Sequence, residues 1–192
     1  MPERLIDIPN PGDRGLRRYS TRAFPVYRYV PGLHPHPHRD PAGHSYEPVP
    51  GLNRHAPWSV DDWQSLDDWL YGVDLFNWFY FWEAHEAWEG LWTAAESGSA
   101  PSLLLQGLIQ IAAALLKTHM GVLSGARVLS AEGLDKLRRS ARLQPVSLGL
   151  RLPEVVSVFT DYFAPVTHDQ LPQIGPHVPM LQLATTARAR PA

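Results

Sequence analysis

Not one of the 192 residues is cysteine, so disulfides, thiolate metal ligands and a cysteine nucleophile are all excluded. The first ten residues, MPERLIDIPN, lack the apolar run of a secretory leader. The longest apolar stretch, near IAAALL, is about a third of the ~18 residues of a membrane span. A soluble, cytoplasmic protein without a membrane partner is the expectation. Basic residues are missing from 61–100, which holds nine acidic ones. Residues 1–60 and 101–192 carry small basic excesses, so the flanks could supply counter-ions to an acidic centre. No dense basic stripe exists for phosphates, and nucleic acid is not an expected partner. There is no Gly-rich phosphate loop, no G-x-S-x-G elbow and no dinucleotide fingerprint, so nucleotide-dependent chemistry is not indicated.

Proline is absent from Trp58 to Ala100, yet eleven of the nineteen prolines fall in residues 1–57, with five of the nine histidines. Proline lacks an N–H and disfavours helix before it, so 1–57 reads as an extended arm. Phe24, Tyr27 and Tyr29 suit an arm lying along a helical body. A hydrophobic share of 44% supports a real core. Residues 58–163 read as a helical bundle and 164–192 as a proline-rich tail. The fold class expected is all-α: a compact bundle of about five helices wrapped by largely irregular N- and C-terminal arms.

Within the bundle, Ser59 with Asp62 reads as a capping pair, and Trp63, Leu66 and Leu70 form one apolar stripe. Gly72 reads as a helix stop and Asp74 as the cap of the next helix. Pro101 and Ser102 open a third helix, in which Gln106, Gln110, Ala113 and Lys117 share one narrow stripe. Gly107 marks a close helix crossing, and Gly121 ends the helix. A fourth helix runs from Ser124 to Arg142, with Ala126, Val128, Leu129, Leu134 and Leu137 as core candidates. The segment LPEVVSVFTDYF is a fifth, with Pro153 in its first turn.

The stretch FYFWEAHEAWEGLW, Phe79 to Trp92, carries the chemistry. Glu83, Glu86 and Glu89 recur at i, i+3 and i+6, and His85 can touch Glu89 at i+4. Bulky aromatics cover the rest of the circumference. A carboxylate buried there must be paired, metal-bound or protonated. Glu83 or Glu86 could meet Arg127. Gln106 and Gln110, one turn apart, could hold a polar ligand if they face this helix, or form a wet face if they do not. His85 and Glu89, with His119, are candidate metal ligands. So are His36 and His38 in LHPHPHRDPAGH, where alternating His-Pro places imidazoles on one side about 6–7 Å apart. If the arm folds over the acidic helix, Arg39 and His44 meet Glu83 or Glu86, and the two clusters become one site.

The segments LFNWFYFWEAHEAWEGLW, LLQGLIQIAAALLK and SGARVL, in this order, resemble the domain of unknown function 309 family over about Asp74 to Leu137. The resemblance implies a small multi-helical fold and no established biochemical role. That family usually has a small residue, often Gly, where Phe79 stands here, which leaves open whether 74–95 is one helix or two.

Three function classes follow. One is a structural or small-ligand-binding protein with a polar Glu/His cluster inside the bundle. The second is a metal-dependent hydrolase using a divalent ion on that cluster, with Glu86 as general base. The third is an interaction module that self-associates through a Trp-rich surface, since seven tryptophans fall within 35 residues.

Overall fold

The computed structural model describes residues 15–48 and 57–184; residues 1–14, 49–56 and 185–192 of the two arms lie outside the described residues. A 3₁₀ helix, Val60–Ser65, leads into α1 (Asp67–Asn77) and α2 (Phe81–Ala94). Then come α3 (Ala100–His119), α4 (Leu123–Leu143), a two-residue hairpin of β1 (Val146–Ser147) and β2 (Leu150–Arg151), and α5 (Leu152–Phe163). A second 3₁₀ helix, Ala164–His168, ends the regular structure. The fold is a helical bundle with almost no strand among the described residues. α3 is the central element, packed along α4 on one side and α2 on the other, while α1 packs on α2 and α5 on α4.

The expected punctuation of α3 to α5 holds. Ser99 caps α3 by accepting from the Ser102 N–H, Pro101 sits in the first turn, and Gly121 follows the end at φ 72°. Gln106, Gln110, Ala113 and Lys117 form the half-exposed stripe of an otherwise buried helix. By length and composition α3 could cross a membrane, but 67% of its apolar window is buried inside the fold, so it is the core helix. Gly107 lies at a close crossing with Gly133 of α4. A Cβ on Gly107 would stand 2.8 Å from Leu137 Cγ, and one on Gly133 would stand 2.9 Å from the Gly107 carbonyl oxygen. On α4, Val128 is 54% exposed and leaves the expected core set, while Ala126, Leu134 and Leu137 are buried.

Two expectations fail at α1. Gly72 stops nothing; it lies mid-helix because a Cβ there would enter the Trp88 indole of α2. Asp74 caps nothing either; it lies within α1, fully buried. Its carboxylate accepts from Arg18 Nε at 2.9 Å, Tyr19 N at 2.9 Å and Ser20 N at 2.8 Å. One turn on, Asn77 Nδ2 donates to the Leu181 carbonyl at 2.8 Å while its Oδ1 accepts from Leu181 N at 2.9 Å. One helix thus ties down both arms. Val30 from the N-terminal arm and Val178, Leu181 and Leu183 from the C-terminal one join the same buried cluster as the helices. The tryptophans are largely consumed by this packing: Trp69 and Trp88 are fully buried and none of the seven is among the exposed large hydrophobics.

α1 and α2 are two helices, separated at Phe79. That residue has φ 68°, the left-handed region, where a β-carbon costs about 1–2 kcal/mol. Its ring is fully buried and lies 5.5 Å from Phe81, and burying such a side chain gains about 1.5–3 kcal/mol. Burial therefore outweighs strain, and a bulky residue occupies a glycine conformation. In denaturant melts, Phe79→Ala is expected to be less stable than Phe79→Gly by about 1 kcal/mol, because alanine keeps the strain without the ring. Equal stabilities would mean that the turn is unstrained. Asp74→Ala is expected to lower stability by about 3 kcal/mol, since Arg18 and two backbone N–H groups lose their acceptor together. A cost below 1 kcal/mol would show that the arm leaves α1 readily.

Candidate functional site

α2 turns its three glutamates progressively outward. A step of three residues falls about 60° short of a full helical turn, so i, i+3, i+6 positions drift around the axis. Glu83 faces inward, its side chain 5% exposed; Glu86 reaches the rim at 32%. Glu83 Oε1 accepts from the Tyr29 N–H at 2.8 Å and faces His44 Nε2 at 3.1 Å. The His44 ring is as buried as its partner. Its other nitrogen, Nδ1, lies 2.8 Å from Ser45 Oγ, a hydroxyl able to donate. The carboxylate can only accept, so the Nε2–H of His44 donates to Glu83. Glu83 Oε2 is buried without a hydrogen-bond partner.

The arm does fold over the acidic helix. Residues 34–46 close on themselves: Asp40 N bonds the His36 carbonyl, Ser45 N the Pro37 carbonyl, and Ala42 N the Asp40 side chain. A Cβ on Gly43 would collide with the Pro37 and His36 carbonyl oxygens, so only glycine lets the loop close. Trp82 is the platform beneath it, with Tyr29, His36 and His38 rings at 5.2, 5.6 and 5.5 Å. His38 Nε2 lies 3.2 Å from Glu86 Oε2, and its Nδ1 lies 3.0 Å from the Ser45 carbonyl. Both nitrogens therefore face oxygen atoms.

A cavity of about 510 Å³ lies between this arm and the two helices. The arm contributes Arg22, Pro25, His38, His44 and Ser45; α1 contributes Asp68, Tyr71 and Leu75; α2 contributes Trp82, Glu83, Glu86 and Ala87. Arg22 pairs with Asp68 at 2.6 Å and with Asp67 at 3.4 Å, and its guanidinium lies 3.9 Å from the Tyr71 ring centre. Burial pushes the Tyr71 hydroxyl above its ordinary pKa, with Arg22 and Arg18 opposing, and the neutral hydroxyl donates to the Ala23 carbonyl at 2.9 Å. Beside the cavity, His85, Glu86 and Glu89 offer ligand atoms within 4.8 Å of one another, the one such group among the described residues.

Residues 69–129 match the family model described as Domain of unknown function (DUF309). The resemblance read from the motifs is borne out over a segment that begins five residues before Asp74 and ends eight residues before Leu137. No curated protein matches the chain. The matched segment contributes Glu83, His85, Glu86 and Glu89 to the site, while His38, His44 and Ser45 come from outside it.

Several candidates belong elsewhere. Arg127 does not reach Glu83 or Glu86; it bonds the Val166 carbonyl and Asp169 at the second 3₁₀ helix. Gln110 donates to Glu132 of α4 at 2.7 Å, and Gln106 shares its half-exposed stripe, so neither amide completes the Glu83 patch. His119, in the last turn of α3, lies outside the His85–Glu86–Glu89 group. His36 Nδ1 accepts from the His38 N–H and its ring packs on Trp82, while His38 Nε2 faces Glu86. Arg39 is exposed, and the neighbouring His38 takes the contact expected of it. Ser45, Arg22, Asp68 and Tyr71 were not foreseen, because their role arises only when the arm docks.

The geometry separates two substitutions that sequence alone treats alike. Glu83→Gln places an NH₂ group among donors and is expected to cost about 1–3 kcal/mol. His85→Ala removes a partly exposed ring that lies 3.4 Å from Glu86 and tilts against Trp82 at 6.4 Å, and is expected to change stability by less than about 0.5 kcal/mol. Thermal melts showing equal losses for both would contradict this placement of Glu83.

Proposed function

We propose that the chain is a small-ligand-binding protein, soluble and cytoplasmic, whose site is the cavity closed by the N-terminal arm over α1 and α2. The supporting observation is Glu83: a buried carboxylate with one oxygen held by the arm and the other unpartnered beside a cavity of about 510 Å³. That volume falls in the range of small-molecule sites, and a few polar groups converging on apolar walls is their usual make-up. The apolar part comes from Pro25, Leu75, Trp82 and Ala87.

A second reading, a metal-dependent hydrolase, draws support from the His85–Glu86–Glu89 group with His38 against Glu86. One imidazole and two carboxylates that can converge on a point are a donor set suited to zinc or another first-row ion. Glu86 would then be a ligand rather than the free general base.

One experiment separates the readings. Untagged protein purified without chelator is assayed for metal, and its melting temperature is followed against a metabolite library, alongside His85→Ala and Ala87→Phe. Ligand binding predicts stabilising hits that vanish in Ala87→Phe, where the ring fills the cavity, and persist in His85→Ala. Stoichiometric metal lost in His85→Ala, with no hit sensitive to Ala87→Phe, would replace the first reading by the second.

A further inference from the structure

Building on the reading of this cavity as a binding site, we infer that its ligand is an organic cation, a molecule carrying a protonated amine, amidine or guanidine that donates to Glu83 Oε2. A carboxylate at the protein surface is hydrated on both oxygens. Here Oε1 exchanges its water for the Tyr29 N–H and the His44 Nε2–H, whereas Oε2 is buried and takes no bond. Leaving a buried acceptor unmatched is costly, and Glu83 is one of the cavity's lining residues, so a donor brought in by a ligand would relieve that cost.

Charge decides what kind of donor. Asp68, Glu83 and Glu86 face the cavity, with Arg22 as the permanent cation among its lining residues. Arg22 is engaged by Asp68 and Asp67, and His38 faces Glu86. Three carboxylates against one guanidinium leave the wall with excess negative charge, and an anionic ligand would enter against it. A neutral donor would satisfy Oε2 but not the excess charge. A cationic nitrogen satisfies both and makes the shorter, stronger charge-assisted bond. A bare metal ion is disfavoured at this oxygen, because Glu83 is not among the residues able to converge on one ion. Leu75, Ala87 and Pro25 provide a non-polar wall for a hydrocarbon body attached to the cationic group.

The test is isothermal titration calorimetry with three probes of nearly one shape: phenethylamine, 2-phenylethanol and phenylacetate. Agmatine serves as a guanidinium probe. The expected result is binding of phenethylamine or agmatine at least tenfold tighter than of the alcohol or the acid. That preference should fall at least tenfold in Glu83→Gln and about threefold in Glu86→Gln, and remain in His85→Ala. If Glu83→Gln does not fold, the charge preference of the wild type and the Glu86→Gln effect carry the result. Binding of the alcohol or acid as tight as the amine would overturn the cation and leave the cavity as a site. No binding of any probe to wild type, together with no library hit sensitive to Ala87→Phe, would overturn both.

Discussion

A carboxylate or amide buried inside a protein must find partners there, and in this fold the irregular arms supply the partners of the buried polar groups on the helices. Asp74, Asn77 and Glu83 are all buried on α1 and α2. No neighbouring helix pairs with them. Arg18, Tyr19 and Ser20 serve Asp74, Tyr29 and His44 serve Glu83, and Leu181 serves Asn77. Helices satisfy their own backbone and have few N–H groups to lend; extended segments have many. Proline-rich arms that cannot become helical are therefore the natural complement to a helix hairpin with buried polar groups. Removing an arm would leave the bundle with unpaired acceptors in its core, a far larger cost than losing the apolar contacts of Val30 alone.

Much of the bundle was legible because its signals are local. Pro101, Gly121 and Pro153 set helix ends through their own backbone chemistry, and the Gln106 stripe follows from helical phase. Gly107 was legible for the same reason: a glycine inside an unbroken apolar helix has few other uses. Gly72, Asp74 and Phe79 misled or left the question open because tertiary contacts decide them. Gly72 answers to the Trp88 indole, Asp74 to an arm more than fifty residues earlier, and Phe79 holds a left-handed turn only because its ring is needed in the core. Nothing in the local pattern distinguishes a glycine that ends a helix from one that admits a tryptophan.

The site divides along the same line. Phase alone puts the Glu83–Glu86–Glu89 series on a drifting stripe, so one member had to be more buried than the others. That the arm meets it could be argued from opposite charge and from the clustered histidines. Which arm residues meet it could not. His38 rather than Arg39 reaches Glu86 because the 34–46 loop folds on itself, and Gly43 with its carbonyl contacts sets that geometry. Arg127 and the glutamines were assigned by charge and amphipathicity, which say that a side chain needs a partner but not which one.

A site split between a helix hairpin and an arm links recognition to folding. Anything that binds the cavity with the arm docked stabilises the docked state by the free energy of binding, and whatever holds the arm raises apparent affinity by the same amount. Three of the arm's attachments to this hairpin differ in character. Asp74 is a fully buried anchor, Glu83 a buried contact beside the cavity, and Glu86 a half-exposed latch through His38. Their burial falls in the order Asp74, Glu83, Glu86, and so does the cost of breaking each.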